Sequence, residues 1–264
     1  MNLKQLTENV IIIAKDAGEI IRQSYGKISS KNIQIKGLND FVTDIDKKSE
    51  EYIVESLSKL IPEAGFIAEE GTSTKIGLEY NWIIDPLDGT TNFIHGFYPC
   101  AVSIALEYNK EIILGVVYEI GLSECFYAWK NGGAYLNGDN IRVSKEKLFK
   151  DSLIATGFPY HEFNLLDQYI ELLKHLTKNT SGIRRLGSAA TDMVYVACGR
   201  FDGFYEYDLK PYDVAAGSII ISEAGGTISD FKGKDNYIYG REIVASNKEI
   251  FDNFLNTVKK YMDN

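Results

Sequence analysis

The chain has 264 residues, of which 45% are hydrophobic and 25% charged. That is enough apolar material for one large domain or two closely packed ones, with no need of disulfides or a structural metal to fold. A formal net charge of −9 argues against binding nucleic acid or anionic lipid through bulk charge. Three cysteines, Cys100, Cys125 and Cys198, are odd in number and form no CxxC. They read as buried thiols of a reducing compartment and not as disulfides or zinc ligands. The N-terminal residues lack a basic-then-apolar signal pattern, and no apolar run reaches spanning length. A soluble cytoplasmic protein that engages no membrane is expected.

Taken in chain order, residues 3–24 read as an amphipathic helix, with Leu3, Leu6, Val10, Ile13, Ala17, Ile20 and Ile21 at helical spacing. Residues 45–60 repeat the pattern with Ile45, Ile53, Leu57 and Leu60, and Pro62 lies just beyond. Residues 64–69 and 81–85 are strand candidates, the second ended by Pro86, which lacks a ladder donor. A meander of 100–108, 111–119 and 123–129 follows, closed by the turn Asn131-Gly132-Gly133. The first half is therefore helices over an antiparallel sheet.

The second half alternates. Strands are expected at 152–156, 182–186, 201–207 and 242–246. Helices are expected at 163–177, 188–198 and 214–224, with another at the C-terminus. The class this implies is α/β, or α+β layered: alternating layers of helices and two β-sheets. Lys and Glu cluster near 142–151, which divides the chain into an N-terminal part, 1–145, and a C-terminal α/β part, 146–264. The site is expected where the two sheets meet.

The chemistry concentrates in residues 82–93, Trp-Ile-Ile-Asp-Pro-Leu-Asp-Gly-Thr-Thr-Asn-Phe. Asp85 and Asp88 flank a Pro-containing turn, and both can reach one point to which the Leu87 carbonyl adds a third oxygen. Hard Mg²⁺ prefers such ligands. Turn and capping chemistry alone would also explain Asp88-Gly89, with Asp88 capping the helix that follows. Glu69-Glu70 ends an apolar strand. Asp213 reads as the N-cap of a buried helix ending at Gly225-Gly226. Gly89-Thr90-Thr91-Asn92 can cradle a phosphate through free N–H groups at a helix start, or can be an ordinary helix entry capped by Thr90 or Thr91. The histidines His95, His161 and His175 lack HExxH spacing and read as structural. GxSxG, Walker A and GxGxxG are absent. Serine nucleophiles, ATP hydrolysis and dinucleotide binding thus lose their usual signatures.

These residues closely resemble the inositol monophosphatase family, Mg²⁺-dependent and lithium-sensitive phosphatases of the wider sugar-phosphatase fold. Residues 85–93 fit the family's first signature, DPxDGTxNF, at every fixed position, and residues 213–226 fit its second. The one departure is Tyr212, where the family usually has Trp. The resemblance implies that Glu69, Asp85, Leu87 (through its carbonyl), Asp88 and Asp213 hold two or three Mg²⁺ ions. Thr90 with Asp46 would orient the attacking water; Asp46 also reads simply as a first-turn acid favoured by the helix dipole. Lys36 and Glu70 resemble residues near a more weakly held metal. Gly89, Thr90, Gly187, Ser188, Ala189, Glu206 and Asp213 would face the substrate, with Glu206 bonding ring hydroxyls. Thr156-Gly157-Phe158-Pro159-Tyr160, Arg184-Arg185 and Gly199-Arg200-Phe201-Asp202-Gly203 are typical of bacterial members.

The activity this implies is hydrolysis of myo-inositol 1-phosphate or a close polyol or sugar phosphate by metal-activated water, with no phosphoenzyme. A dual fructose-1,6-bisphosphatase/inositol monophosphatase and an NADP or nucleotide phosphatase are the alternatives within the class. Asn92-Phe93 is typical of the inositol branch, and the nucleotide branch usually carries Lys where this chain has Thr91. A regulatory binding protein of transcription complexes, as some bacterial relatives are, is the alternative outside it. The resemblance further implies a homodimer.

Overall fold

The structure, a computed structural model, describes residues 1–26, 33–37 and 40–262, with side chains described outside 33–43. Helix α1 (Leu3–Ser24) opens at Asn2, whose Oδ1 accepts the Gln5 N–H at 3.2 Å. Its buried face includes Leu6, Val10, Ile13, Ala17 and Ile21, at the spacing its sequence predicts, while Leu3 and Ile20 lie at the edge of that face. Strands β1 (Ile33–Gly37) and β2 (Asp40–Thr43) pair antiparallel, in a stretch the apolar pattern left unassigned. Helix α2 (Asp44–Leu60) follows. Its buried residues are Asp46, Ser49, Glu50, Ile53 and Leu57. Helical spacing therefore holds, but the first turn and a half of the buried stripe is polar.

Strands β3 (Gly65–Ala68), β4 (Tyr80–Asp88), β5 (Ala101–Tyr108), β6 (Glu111–Glu119), β7 (Glu124–Trp129), β8 (Gly133–Leu136) and β9 (Asp139–Asn140) form one sheet in sequence order. β3 and β4 run parallel, and every later pair is antiparallel. Pro86 does not end β4, contrary to expectation. Asp85 pairs with Ser103 and Asp88 with Ala101, with a register shift between them. The strand runs on through a bulge, where a residue without an N–H breaks no ladder bond. The bulge re-aims the two aspartates relative to each other.

After the short helix α3 (Thr90–Ile94), the second sheet is built from β10 (Leu153–Thr156), β11 (Gly182–Arg184), β12 (Gly203–Tyr207), β13 (Thr227–Ser229) and β14 (Glu242–Ser246). Their order across the sheet is β11-β10-β12-β14-β13. β10 is parallel to both β11 and β12, whereas β14 is antiparallel to β12 and β13. Helices α4 (Leu166–Asn179), α5 (Ala189–Ala197), α6 (Pro211–Glu223) and α7 (Phe251–Met262) complete it. β8, β9 and β13 have four, two and three residues, too short for a period-2 pattern to show.

Three apolar clusters set the layering. α1 and α2 pack on one face of the first sheet, against Trp82, Ile84, Val102, Ile104 and Val116. α5 and α6 lie between the sheets, against Ile83, Ala105 and Val117 on one side and Phe204, Ile243 and Ala245 on the other. α4 and α7 cover the far face of the second sheet, against Ile154, Tyr205, Tyr207 and Val244. Strand alternation assigns each side chain to its layer. Cys100 and Cys125 are buried, as expected, and Cys198 is half-buried. Among the described residues no helix is long and apolar enough to cross a membrane.

Ile21 is fully enclosed beneath α1, whereas Ile12 is 59% exposed on the same helix. Ile21→Ala should lower stability by about 2–5 kcal/mol in urea denaturation, and Ile12→Ala should change it by less than about 0.5 kcal/mol.

Candidate active site

The β4 alternation that buries Trp82 and Ile84 on the outer side turns Ile83 and Asp85 toward the inter-sheet helices. On β12, Tyr205 and Tyr207 face α4 and α7, while Phe204 and Glu206 face the middle layer. The C-terminal ends of these two strands meet the starts of α3, α5 and α6 around one cavity. Glu69, Asp85, Leu87, Asp88, Gly89, Thr90, Gly187, Ser188, Ala189, Glu206 and Asp213 all line it. Asp46 and Glu70 do not; Asp46 stands behind Thr90, and Glu70 follows Glu69 in the loop after β3. Lys36 lies on β1, and its side chain is outside the described residues.

Several residues expected as caps do other work. Neither Thr90 nor Thr91 caps α3. Its N-cap is Gly89, at φ +89°, a left-handed conformation that disfavours a Cβ. The Thr90 hydroxyl is 3.0 Å from Asp46 Oδ1 and 2.9 Å from the Leu87 carbonyl oxygen, so its single proton can go to either. Asp88 does not cap the helix after it. Its Oδ2 accepts the Ser188 hydroxyl at 2.6 Å and the Ala190 N–H at 2.7 Å, at the N-terminus of α5, a hundred residues away. Asp213 is the third residue of α6 and not its N-cap, which is Lys210. Its Oδ2 accepts the Lys210 N–H at 2.6 Å, which is the reciprocal half of a capping box.

Supporting groups the sequence reading passed over fix this geometry. The buried Glu50 carboxylate accepts the N–H groups of Glu70 and Thr72 and the Thr72 hydroxyl, at 2.7–2.8 Å. The Ser49 hydroxyl donates to the Pro86 carbonyl at 3.1 Å. One polar face of α2 therefore holds the Glu69 loop, the β4 bulge and Thr90 together. The signal was present: Asp46, Ser49 and Glu50 continue the Ile53–Leu57 stripe at helical spacing. Asn92 donates through Nδ2 to the carbonyls of Pro99 and Leu186, both at 2.8 Å, pinning the 187–189 loop to α3.

The wall made by residues 157–161 hangs on Asp208. Its Oδ2 accepts the N–H groups of Tyr160, His161 and Glu162 at 3.1, 2.7 and 3.1 Å, and its Oδ1 pairs with Arg241. Burial opposes ionisation, but these N–H groups and Arg241 hold the carboxyl below its ordinary range. Nothing local marks Asp208 in the sequence, since its partners come from two distant loops. His161 was expected to be structural, yet it lines the cavity, with Nδ1 3.8 Å from Asp208 Oδ2. At Gly157 an added Cβ would overlap the Glu206 carboxylate, so a larger residue there would displace the Glu206 side chain.

The cavity is acidic. Burial pushes Asp85 well up, and Glu69, Asp88 and Asp213 add to it. Asp88 is raised to about 6 by burial, against the pull of Ser188, the α5 N–H groups and Arg185. Asp213 is raised to about 8 by burial and by Asp88. Glu206 is raised well above the usual range by burial, Asp213 and Asp88. The donors are carboxylates and one carbonyl, hard oxygens that suit Mg²⁺ better than a soft metal. Among the described residues no three His, Cys, Asp or Glu side chains yet converge as a ready-made ion cage.

A layered fold of two sheets and three helical layers, with acidic strand ends and helix starts closing one cavity, is that of the sugar-phosphate phosphatases. The model of the inositol monophosphatase family matches residues 2–263, and the chain belongs to that family. It is 41% identical to the inositol-1-monophosphatase of Rhizobium meliloti, over 89% of this chain and 88% of that protein. It is 40% identical to the Nus factor SuhB of Pseudomonas aeruginosa, over 94% of each. The crystal structure of extragenic suppressor protein suhB from Bartonella henselae superposes with a TM-score of 0.91 at 38% identity, over 97% of this chain and 99% of that one.

Asp208→Ala removes the acceptor for three consecutive N–H groups. The amides of residues 160–162 should then exchange with solvent about tenfold faster or more, read by hydrogen–deuterium exchange, while those of α1 stay protected.

Proposed function

We propose that this chain is a Mg²⁺-dependent phosphomonoesterase that hydrolyses myo-inositol 1-phosphate, or a close polyol phosphate, by direct attack of water. The observation that carries this reading is one cavity that joins a carboxylate donor set to a threonine hydroxyl backed by a buried carboxylate. Glu69, Asp85, Asp88, Asp213 and the Leu87 carbonyl would hold the metal. When bound, Mg²⁺ supplies Lewis-acid activation of water and neutralises charge on the ester oxygens.

The chain's own groups do the rest. Thr90 donates its proton to Asp46, which leaves the hydroxyl oxygen free to accept from a water molecule and aim a lone pair at phosphorus. As the water attacks, its proton passes to Thr90 and the Thr90 proton to Asp46. Glu50 acts by position, fixing the loop of Glu69 and Glu70. The Gly89–Thr91 backbone takes the phosphate side of the cavity, and Glu206 with the 187–189 loop takes the polyol side. Arg185 and Lys210 are basic groups on the cavity wall that favour an anionic ester. The relay from water through Thr90 to Asp46 makes water the nucleophile, so a phosphoenzyme is not expected.

A second reading rests on the Nus factor name of the Pseudomonas relative: a regulatory binding role that turnover does not serve. Partner capture from lysate that survives Asp88→Asn would favour it.

Asp88→Asn and Asp213→Asn should each lower Mg²⁺-dependent phosphate release by about a hundredfold or more, with far-UV circular dichroism unchanged. Mg²⁺ should also raise the melting temperature of the unaltered protein, and both variants should lose that increase. Near-normal turnover in either variant refutes the assignment. Across a panel of myo-inositol 1-phosphate, fructose 1,6-bisphosphate, NADP and a 3′-phosphorylated nucleotide, the first should be preferred and Li⁺ should inhibit. Preference for fructose 1,6-bisphosphate would overturn the substrate and leave the mechanism standing.

A further inference from the structure

Asp192 is an acidic side chain in the cavity with no assigned work. It lies in the first turn of α5, four residues after Ser188. Residues four apart share a helix face, and Cα–Cβ bonds tilt toward the helix start. Asp192 therefore stands behind Ser188 and points toward the end of α5 that opens on the cavity, which it lines. It is 1% exposed, and its Oδ1 has no hydrogen-bond partner among the described residues. A first-turn acid is favoured by the helix dipole, which accounts for the residue type. It does not account for a buried carboxylate oxygen left unbonded, since such groups are almost always satisfied.

The surroundings limit what can fill that position. Glu206 and Asp88 act on Asp192 as like charges, and Arg185 is the basic group that opposes them. Another anion, such as the phosphate end of an ester, is repelled there. A hydroxyl is neutral, donates one hydrogen bond and fits beside Glu206, the acid on the adjacent wall.

We propose that Asp192 is a substrate-specificity residue, its Oδ1 accepting a hydrogen bond from a ring hydroxyl of the polyol while Glu206 takes another. The inference rests on the polyol-phosphatase reading above. It adds a second acidic acceptor, so that the cavity selects esters carrying at least two hydroxyls on the leaving alcohol.

The test compares myo-inositol 1-phosphate with cyclohexyl phosphate, which keeps the ring and lacks the hydroxyls. In Asp192→Ala the ratio of kcat/KM for the two esters should fall by about tenfold or more, through a rise in KM for the inositol ester. An unchanged ratio overturns the proposal, whether both activities fall together, as a purely structural role requires, or neither moves. Should the Ala variant not fold, the same ratio in Asp192→Leu, which keeps the shape and lacks an acceptor, decides. Wild-type protein that hydrolyses neither ester overturns the polyol-phosphatase reading and this inference with it. Wild-type hydrolysis of both with an unmoved variant ratio overturns this inference alone.

Discussion

The bond between Asp88 and the start of α5 is the constraint on which the rest of the cavity depends. One carboxylate oxygen at the end of β4 accepts both the Ser188 hydroxyl and the Ala190 N–H. The first sheet is thereby tied to a helix that also packs against the second. The α5 N-terminus supplies N–H donors that would otherwise be orphaned, and Asp88 supplies the charge that the helix dipole favours there. With α5 held in this way, Ser188, Ala189 and Asp192 face the same cavity as Asp85 and Thr90.

That tie works only because the bulge aims the two aspartates into one cavity. Without the bulge, Asp85 and Asp88 would lie on opposite faces of a regular strand, three residues apart. The register shift at Pro86 brings both to one cavity while Leu87 still packs into the outer core. The polar face of α2 then supports the arrangement from behind. Ser49 holds the Pro86 carbonyl, Asp46 holds Thr90, and Glu50 holds the loop of Glu69. A helix whose buried stripe begins with three polar residues gives up apolar burial there, and in return holds Thr90, the Pro86 carbonyl and the loop after Glu69 against the site.

The far wall follows a different logic. Asp208 gathers three successive N–H groups and one guanidinium, so a single carboxylate orders residues 160–162. Gly157 lets that wall come against Glu206. The carboxylates of the cavity therefore do two kinds of work. Asp85, Asp88, Asp208 and Asp213 accept backbone N–H groups and position backbone. Asp85 and Glu206 are pushed toward neutrality by burial and by their neighbours, a strain that a bound cation or a hydroxyl donor would relieve.

Much of this was legible in the sequence. The periodicity of α1 and α2, the meander and the alternation of the second half follow from spacing, because burial on one face imposes a period of 3.6 or 2 wherever an element is long enough. β8, β9 and β13 are too short to carry such a signal. The DPLDGTTNF segment and the DVAAG helix start pointed to the family through their resemblance to its two signatures. Only the tertiary structure decided what each carboxylate does. Asp88 caps a helix a hundred residues away, Asp213 closes a capping box as the third residue of its helix, and Asp192 and Asp208 take part through neighbours no local pattern predicts. Local sequence determines which groups can bond, but a buried polar atom must find its partner wherever the fold brings one, and that choice is made only when the sheets and the helices between them have packed.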